Sequence, residues 1–368
     1  MELCDRSPSY VRAIAPYLPG KPIAELAREM HLAEEDIVKL ASNENPLGAS
    51  PRALAAIENV LMEVARYPDG NGFLLKSALV EKYGVALNQI ILGNGSNDLL
   101  ELAARAFLAP GTSAVYSQYA FAVYPLATQA AGARGIETPA HEYGHDLKAM
   151  LEAISADTRV IFIANPNNPT GTLLGGVELA HFLDQVPDTV LVVLDEAYTE
   201  YLPEAQRSDS IAWLQKHPNL LITRTFSKAY GLAGLRVGFA LGRPELVDIL
   251  NRVRQPFNVN SLAQAAAVAA MKDEAFLEEC VEINRSGMEQ ITSGLARMGL
   301  SYIPSAGNFV AVKVGNAAAI NHSLLKQGVI VRPIANYGMP EYLRVSVGLK
   351  TENARFLQAL EHSLAAPN

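Results

Sequence analysis

The sequence predicts an α/β protein in which a large domain with a mostly parallel central sheet is joined to a smaller α+β domain. Between about residues 50 and 240, short runs rich in β-branched residues alternate with helical patterns, which is typical of a sheet with helices on both faces. Beyond about residue 245 this alternation gives way to longer helical runs and a second group of strand candidates. A chain of 368 residues is long enough to form more than one lobe.

Each predicted element follows from its local pattern. Four prolines within the first 22 residues, followed by a helical pattern over 23–30, predict an arm and a short helix. The strands predicted for the central sheet are 89–92, 113–116, 159–163, 190–194, 220–223 and 237–241, with helical patterns such as 99–107 and 147–154 between them. In the second lobe the predicted helices are 245–254, 262–271, 274–298 and 352–363, and the predicted strands are 308–314, 329–332 and 343–347.

The composition indicates an ordinary globular enzyme and argues against several other classes of protein. Hydrophobic residues make up 49% of the chain and charged residues 18%, and a net charge of −8 without any basic run argues against a nucleic-acid surface. Cys4 and Cys280 form no close pair, which fits a reducing compartment and no structural zinc. No apolar stretch approaches the ~18–20 residues of a membrane span, and the first residues are too polar for a signal peptide, so we expect a cytoplasmic protein.

The most informative segment is T-F-S-K-A-Y-G-L-A-G-L-R-V-G at 225–238, which follows the apolar run 220–222. A lysine at the end of a buried strand is poorly solvated, so its ammonium form is disfavoured and its amine becomes a usable nucleophile. The surrounding hydroxyls, backbone N–H groups and arginine are suited to holding a phosphate. These features suggest pyridoxal 5'-phosphate (PLP) bound to Lys228 as a Schiff base, although a loop lysine between turn glycines has the same local pattern.

Three other polar segments follow strand candidates. They are N-P-N-N-P-T-G at 165–171, D-E-A-Y at 195–198 and G-N-G-S-N-D at 93–98, the last of which opens a helical pattern. Ligands of largely parallel sheets bind at the carboxyl ends of the strands. We therefore expect these segments to share one site with the lysine.

With these motifs in place, the chain resembles the fold-type-I PLP-dependent aminotransferases over nearly its whole length, and most closely their histidinol-phosphate aminotransferase subgroup. The resemblance is carried by A-S-N-E-N-P-L-G at 41–48, R-Y-P-D-G at 66–70, the lysine segment, and Y-L-R-V-S-V-G at 342–348. It implies the PLP-dependent transferase fold type I, with a large PLP-binding domain over 45–245. The small domain would then combine 1–44, including the arm, with 246–368.

The resemblance assigns catalytic roles to residues of these motifs. Lys228 would bind PLP and later move the proton between the substrate and the cofactor. Asp195 would pair with the pyridine nitrogen and keep it protonated. Tyr198 and Asn168 would donate to the cofactor's phenolate oxygen, and Asn168 would also contact the substrate. From the residues alone, Asp195 and Asn168 also fit plain turn residues, and Tyr198 fits a half-buried packing residue.

The resemblance also indicates which residues bind the cofactor's phosphate and ring. The N–H groups and dipole at the start of a helix favour an anion, and hydroxyls with an arginine complete the set. Tyr119 matches the position that stacks on the pyridine ring, although an aromatic residue there is also typical of a core. The predicted phosphate ligands are Gly95, Ser96, Asn97, Thr225, Ser227 and Arg236.

Four further residues connect the resemblance to the partner subunit and the substrate. Tyr67 matches a tyrosine that reaches the phosphate of the neighbouring subunit's cofactor, which implies a homodimer with shared active sites. Arg344 matches the arginine that binds a substrate carboxylate, and Arg332 with Arg344 fits the pair that meets a substrate phosphate in the subgroup. Tyr17 matches an N-terminal tyrosine that closes over the substrate. Surface ion pairing for Arg332 and arm docking for Tyr17 are the competing interpretations.

The expected reaction is transamination between a small-molecule amino donor, L-histidinol phosphate, and the 2-oxoacid 2-oxoglutarate, as in histidine biosynthesis. Three alternatives stay open at this point. The first is an aromatic amino acid aminotransferase acting on phenylalanine or tyrosine, because both substrate types carry a ring and an anion. The others are a PLP-binding regulatory module without turnover and a PLP-dependent lyase or decarboxylase. No partner nucleic acid or membrane is expected.

Two motif matches are rejected as sites. H-E-Y-G-H at 141–145 has the zinc-protease spacing, but that chemistry needs both histidines on one continuous helix. A proline just upstream, the internal glycine and an N-cap-like Asp146 predict a loop instead. G-N-G-S-N-D at 93–98 lacks the third glycine of a dinucleotide fingerprint, so we expect no NAD site.

Overall fold

The structure, a computed structural model, describes residues 3–17 and 19–365. The predicted small-domain ranges 1–44 and 246–368 include residues 1, 2, 18 and 366–368, which lie outside the described residues. The α-helices of the described part are α1 (Ser9–Arg12), α2 (Ile23–Met30), α3 (Pro51–Val60), α4 (Phe73–Tyr83), α5 (Ser96–Phe107), α6 (Val123–Ala130), α7 (Leu147–Glu152), α8 (Gly176–Leu183), α9 (Ser210–Trp213), α10 (Pro244–Val253), α11 (Ser261–Met271), α12 (Glu274–Arg297), α13 (Ala317–Lys326) and α14 (Lys350–Ala365).

Within the described residues, the strands form one large sheet, one smaller sheet and two short pairs. The predicted strands of the central sheet are all present, with ends that move by up to two residues. The strands are β1 (Val38–Lys39), β2 (Ile90–Gly93), β3 (Ser113–Ser117), β4 (Arg134–Thr138), β5 (Ala140–His141), β6 (Gly144–His145), β7 (Thr158–Ala164), β8 (Leu191–Asp195), β9 (Leu220–Thr225), β10 (Gly238–Leu241), β11 (Tyr302–Ile303), β12 (Phe309–Lys313), β13 (Val329–Ile330), β14 (Arg332–Pro333) and β15 (Tyr342–Ser346).

The central sheet has seven strands in the order β2-β10-β9-β8-β7-β3-β4. The pairs from β9 to β4 are parallel, and β10 is antiparallel to both of its neighbours. The predicted mostly parallel sheet is therefore confirmed. The edge strand β4 was not predicted, because its sequence R-G-I-E-T is largely exposed and has no apolar run.

Apolar side chains cover both faces of this sheet. Along β7, Ile161 and Ile163 pack against one buried cluster with helices α3, α4, α8 and α11, whereas Val160 and Phe162 pack against a second cluster with α5, α6 and α10. A strand that is buried on both faces reads as a continuous apolar run, which explains why the sequence revealed these strands. The polar residues that follow each run are thereby placed at one edge of the sheet.

The smaller sheet is antiparallel, with the strand order β11-β12-β15-β14, and packs against α12, α13 and α14. The α+β character predicted for the second lobe is confirmed. The single strand predicted at 329–332 is divided, because β13 pairs in parallel with β1 whereas β14 pairs with β15. The domain boundaries at 45 and 245 stay predictions. Within residues 3–17 and 19–365, no helix is long and apolar enough to cross a membrane.

The rejected H-E-x-x-H match is a β-hairpin formed by β5 and β6. Glu142 and Tyr143 have φ values of 47° and 66° and make the turn, so the two histidines do not lie on a helix face. His145 is buried, its Nε2 lies 2.9 Å from the Ala164 carbonyl oxygen, and burial lowers its pKa to about 4. The predicted loop is thus a hairpin whose second histidine is a neutral core residue.

A tight turn holds the lysine segment against the 41–48 segment. Gly231 has a φ of 69°, and its N–H donates to the Lys228 carbonyl at 3.0 Å. A Cβ at this position would collide with the carbonyl oxygen of Gly48. Only glycine meets both conditions, the left-handed backbone and the close approach.

We predict that Gly231→Ala destabilises the protein by about 2 kcal/mol or more, because a left-handed backbone and a backbone collision add together. The matched control is Gly234→Ala in the same loop, where a Cβ meets nothing within 4 Å. The control is expected to stay within about 0.5 kcal/mol of the unchanged protein. Denaturant unfolding followed by circular dichroism measures both, and equal stability of the two variants would contradict the prediction.

Candidate active site

A cavity of about 200 Å³ opens at the carboxyl ends of β7, β8 and β9, between the central sheet and the smaller sheet. This is the edge at which the sequence predicted a shared site. The structure brings most of the predicted residues to this one cavity. Those that line it are Tyr17, Ser96, Asn97, Asn168, Asp195, Tyr198, Thr225, Ser227, Lys228, Arg236, Arg332 and Arg344.

Lys228 lies three residues beyond the end of β9 and its side chain reaches the cavity. Its Nζ donates to the carbonyl oxygen of Ser42 at 3.0 Å and lies 5.9 Å from the ring centroid of Tyr198. Burial lowers the pKa of Lys228 to about 7, and the nearby Arg344 guanidinium acts in the same direction. A substantial fraction of this amine is therefore unprotonated at neutral pH and able to attack a carbonyl carbon.

Asp195 is the last residue of β8 and its carboxylate is buried beneath the cavity. Burial raises its pKa to about 6, whereas hydrogen bonds from Thr223 and Tyr124, both at 3.0 Å, favour the charged form. At neutral pH the group is mostly ionised. A buried carboxylate of this kind is suited to pairing with a protonated ring nitrogen.

Tyr198 and Asn168 present hydrogen-bonding groups beside the lysine. The hydroxyl of Tyr198 accepts from Asn43 Nδ2 at 3.0 Å, and burial raises its pKa to about 12, so it keeps its proton. Asn168 Oδ1 accepts from Arg344 Nη1 at 2.6 Å, which leaves the Asn168 amide nitrogen as the group that can donate. Both side chains are therefore suited to an acceptor oxygen on a ligand.

The anion site is formed where the twelve-residue helix α5 begins. Gly95 has a φ of 83°, and a Cβ there would collide with the Arg236 guanidinium. Arg236 Nη1 donates to Ser227 Oγ at 3.3 Å, and the Ser227 N–H donates to Thr225 Oγ1 at 3.1 Å. The helix N-terminus, a guanidinium and two hydroxyls thus converge on one place, which suits a phosphate.

These groups together fit a phosphorylated aromatic aldehyde. The reactive amine, the buried carboxylate and the anion site lie on different elements but line one cavity. Gly95 makes room for the guanidinium at the anion site, as the collision of an added Cβ indicates. PLP needs this set of groups: a nucleophile for its aldehyde, an anion for its ring nitrogen and donors for its phosphate.

Two arginines of the smaller sheet also line the cavity. Arg332 on β14 and Arg344 on β15 are direct cross-strand partners. Arg344 Nη1 and Nη2 donate to Asn168 Oδ1 and to the carbonyl of Ala41, at 2.6 and 2.7 Å. The Arg332 guanidinium carbon lies 5.5 Å from the ring centroid of Tyr17, a cation–π distance.

Three predicted ligands are placed differently. Gly95 does not line the cavity but packs behind Arg236. Tyr119 is absent from the lining, and its ring lies 5.8 Å from that of Tyr143, so the structure does not bring it to the other site residues. Tyr67 is 83% exposed and stacks on Phe257 at 4.8 Å, at a surface outside the cavity. The predicted roles of Tyr119 and Tyr67 stay predictions.

Sequence reasoning missed several residues that line the cavity or contact the side chains that line it. Phe121 lines it two positions beyond Tyr119, and Asn43 donates to Tyr198. Thr223 precedes Thr225 by two residues on β9, so strand alternation could have indicated it. Tyr124 lies in α6 and reaches Asp195 across 71 residues of chain, for which no local signal exists.

The comparisons with known proteins agree with this geometry. The family model for class I and II aminotransferases matches residues 35–360. A histidinol-phosphate aminotransferase of Nitrosospira multiformis is 64% identical over 365 residues, which cover 99% of this chain and 93% of that protein. The histidinol-phosphate aminotransferase of Methylobacillus flagellatus is 62% identical and the match covers 98% of both chains.

Solved structures agree as well. The histidinol-phosphate aminotransferase from Sinorhizobium meliloti, solved in complex with PLP, has a TM-score of 0.89 at 28% identity, covering 98% of this chain and 97% of that one. An aspartate aminotransferase of Thermus thermophilus has a TM-score of 0.82 at 22% identity, covering 96% and 98%, which extends the likeness in fold. The predicted PLP-dependent transferase fold type I is confirmed. The chain belongs to the class I and II aminotransferases, and PLP is its cofactor.

Proposed function

We propose that this enzyme transfers the amino group of L-histidinol phosphate to 2-oxoglutarate, a step of histidine biosynthesis. The observation that carries the proposal is the cross-strand pair Arg332 and Arg344, both of which line the cavity. Direct partners on adjacent antiparallel strands have Cβ atoms about 4.5–5.5 Å apart on one face of the sheet, so two guanidiniums can meet one anion. The names of the relatives at 62–64% identity support the same substrate.

A phosphate uses both arginines better than a carboxylate does. The phosphate is dianionic and offers three oxygens, whereas one guanidinium fork satisfies a carboxylate. Each terminal nitrogen of Arg344 keeps one N–H after its bond to Asn168 or Ala41. The ring of Tyr17 lies within cation–π distance of Arg332 and can hold its guanidinium in place.

The chemistry that PLP supplies when bound is an electron sink for the carbon that carries the amino group. Nζ of Lys228 would hold the cofactor's aldehyde carbon and then, as a free amine, would take the proton from the donor's α-carbon and deliver it to the cofactor. A pKa of about 7 suits both tasks, because the amine can accept and release a proton near neutral pH. Asp195 would hold the ring nitrogen in its protonated form.

The remaining groups of the cavity would orient the cofactor. Tyr198 and Asn168 would donate to its ring oxygen, and the N–H groups of Ser96 and Asn97 would bind its phosphate. Thr225, Ser227 and Arg236 would complete that phosphate site. Because Phe121 lines the cavity and Tyr119 does not, we propose that Phe121 covers the ring face in the place expected for Tyr119.

We further propose a homodimer in which Tyr67 completes the partner's active site. Tyr67 and Phe257 form an exposed aromatic pair, 83% and 45% accessible, and Met62 and Leu74 nearby in sequence are 90% and 74% accessible. The stacked pair exposes a contiguous apolar surface, which is typical of a surface that contacts another protein. We also propose a large domain over 45–245 and a small domain that combines 1–44 with 246–368. The thiols of Cys4 and Cys280 form no disulfide, which supports a cytoplasmic location.

We predict that Lys228→Ala lowers the rate of transamination by about 10⁴-fold or more, since the nucleophile and the proton carrier are lost together. The phosphate site remains, so the variant is expected to fold and to retain weak affinity for PLP. Steady-state kinetics with histidinol phosphate and 2-oxoglutarate measure the loss. Lys148→Ala, whose side chain is 87% exposed, serves as the control and is expected to be fully active. A Lys228→Ala enzyme with normal turnover would refute the assignment.

For Tyr67 we predict complementation between inactive subunits. In a hybrid dimer of Tyr67→Ala and Lys228→Ala chains, one of the two sites regains both groups, so an equal mixture is expected to reach about a quarter of full activity if the subunits pair at random. The control mixture combines Lys228→Ala with Asp195→Asn, whose defects belong to the same chain's site. That mixture should stay inactive. No recovery in the first mixture after verified subunit exchange would contradict the shared site.

The proposed substrate predicts unequal effects of the two arginines. Arg332→Ala should lower kcat/KM for histidinol phosphate more than for phenylalanine, because a charge-assisted bond to the phosphate is lost. The difference corresponds to about 1.5–3 kcal/mol in activation free energy. Arg344→Ala should impair both donors. Arg332→Lys, which keeps the positive charge but loses the bidentate guanidinium, should recover part of the lost kcat/KM for histidinol phosphate. Equal losses for both donors in Arg332→Ala, or an unmodified enzyme that prefers phenylalanine, would favour the aromatic aminotransferase alternative.

A further inference from the structure

The carboxylate of Asp195 is held between two buried hydroxyl groups. Tyr124 Oη donates to Oδ2 at 3.0 Å, and Thr223 Oγ1 donates to Oδ1 at 3.0 Å. Both donors are 0% exposed. Tyr124 precedes Asp195 in the sequence and lies in helix α6, whereas Thr223 follows Asp195 and lies in strand β9. The fold therefore brings the two hydroxyl groups together.

The positions of both donors are fixed by their surroundings. The ring of Tyr124 is stacked on that of Phe162 at 4.9 Å with an angle of 6° and meets the edge of Phe121 at 5.8 Å and 87°. Thr223 is the direct cross-strand partner of Asp195 in the pairing of β8 with β9. Neither hydroxyl can move away from the Asp195 carboxylate without disturbing the packing of the core.

The charge of Asp195 depends on these two contacts. Burial disfavours its ionised form, and the carboxylate of the adjacent Glu196 acts in the same direction. On the cavity side the ammonium of Lys228 favours the ionised form. An ionised carboxylate accepts hydrogen bonds only, so each hydroxyl must direct its proton to it. Two such bonds still leave lone pairs for a third donor from the cavity.

We propose that Tyr124 and Thr223 are positioning residues that keep the Asp195 carboxylate ionised and oriented toward the ring nitrogen of PLP. The proposal rests on the proposed role of Asp195 as the partner of that nitrogen. Each hydroxyl stabilises the charge by a charge-assisted hydrogen bond and restricts rotation of the carboxylate. The two residues act through Asp195 and line no part of the cavity themselves.

The test measures the dissociation constant of PLP for the cofactor-free protein. Tyr124→Phe and Thr223→Val each remove one hydroxyl with little change of shape, and each should weaken PLP binding by about tenfold to a hundredfold, the range for a hydrogen bond to a charged group. Thr223→Ser restores the hydroxyl and should restore affinity. Tyr116→Phe and Thr138→Val, buried in the same sheet but outside the cavity, are the matched controls and should bind PLP normally.

The pH dependence separates this role from a merely structural one. With one donor lost, the pKa of Asp195 in the cofactor-free protein rises above its value of about 6. A larger fraction of Asp195 is then protonated at about pH 6.5 in Tyr124→Phe than in the unchanged protein, whereas both are mostly ionised at about pH 8.5. The affinity deficit of Tyr124→Phe should therefore grow as the pH falls. A packing defect would give the same deficit at both pH values.

A double-mutant cycle with Asp195→Asn tests whether Tyr124 acts through the charge of the Asp195 carboxylate. If Tyr124 acts through the carboxylate charge, Tyr124→Phe should cost less than about threefold in affinity once that charge is gone. A deficit that is independent of pH and unchanged in the Asp195→Asn background would overturn the inference, as would normal PLP binding by both Tyr124→Phe and Thr223→Val. Asp195→Asn with unchanged affinity would instead refute the proposed role of Asp195, and this inference would fall with it.

Discussion

The relative position of strands β8 and β9 determines the geometry of the active site. A buried ion pair joins them: Arg224 Nε and Nη2 donate to Glu196 Oε2 at 3.0 and 2.7 Å, and the Glu196 N–H donates to the Thr223 carbonyl at 2.9 Å. Because neighbouring residues of a strand point to opposite faces, the pair holds the strand ends from one side while Asp195 and Thr223 meet on the other. Breaking such a pair leaves an unpaired buried charge, which is strongly destabilising. The ion pair therefore fixes the distance between the carboxylate of Asp195 and the loop that carries Lys228.

The cavity has a charge opposite to that of the whole protein. The chain carries a net charge of −8, yet the described side chains that line the cavity include Lys228 and three arginines but, among carboxylates, only Asp195. This excess of positive charge suits a reaction in which both the cofactor and the proposed donor carry a phosphate. It also adds to the effect of burial, the main cause of the lowered pKa of Lys228, because Arg344 and Arg236 disfavour a further positive charge. The groups that would bind anions thus also adjust the reactive amine.

Much of this arrangement could be predicted from the sequence, and the exceptions have physical reasons. Strands such as β7 were evident because burial on both faces requires a continuous apolar run, and the polar residues after them, including Asp195, fell at the predicted edge. Strand β4 was missed because an exposed edge strand needs no such run. Tyr119 and Phe121 lie two residues apart in a loop, where no periodicity indicates which ring reaches the cavity. The contact of Tyr124 with Asp195 depends on packing between distant elements.

The proposed substrate site lies at the boundary between the two sheets, which links binding to their relative position. Arg344 belongs to the smaller sheet, yet it donates to Asn168, which follows a strand of the central sheet, and to Ala41. A backbone bond from Ala306 N–H to the Gly171 carbonyl at 2.8 Å joins the same two regions. A phosphate bound by Arg332 and Arg344 would attach to the smaller sheet, while the donor's amino group would reach Lys228 at the end of β9. Substrate binding would therefore strengthen the contact between the sheets, because one molecule spans both.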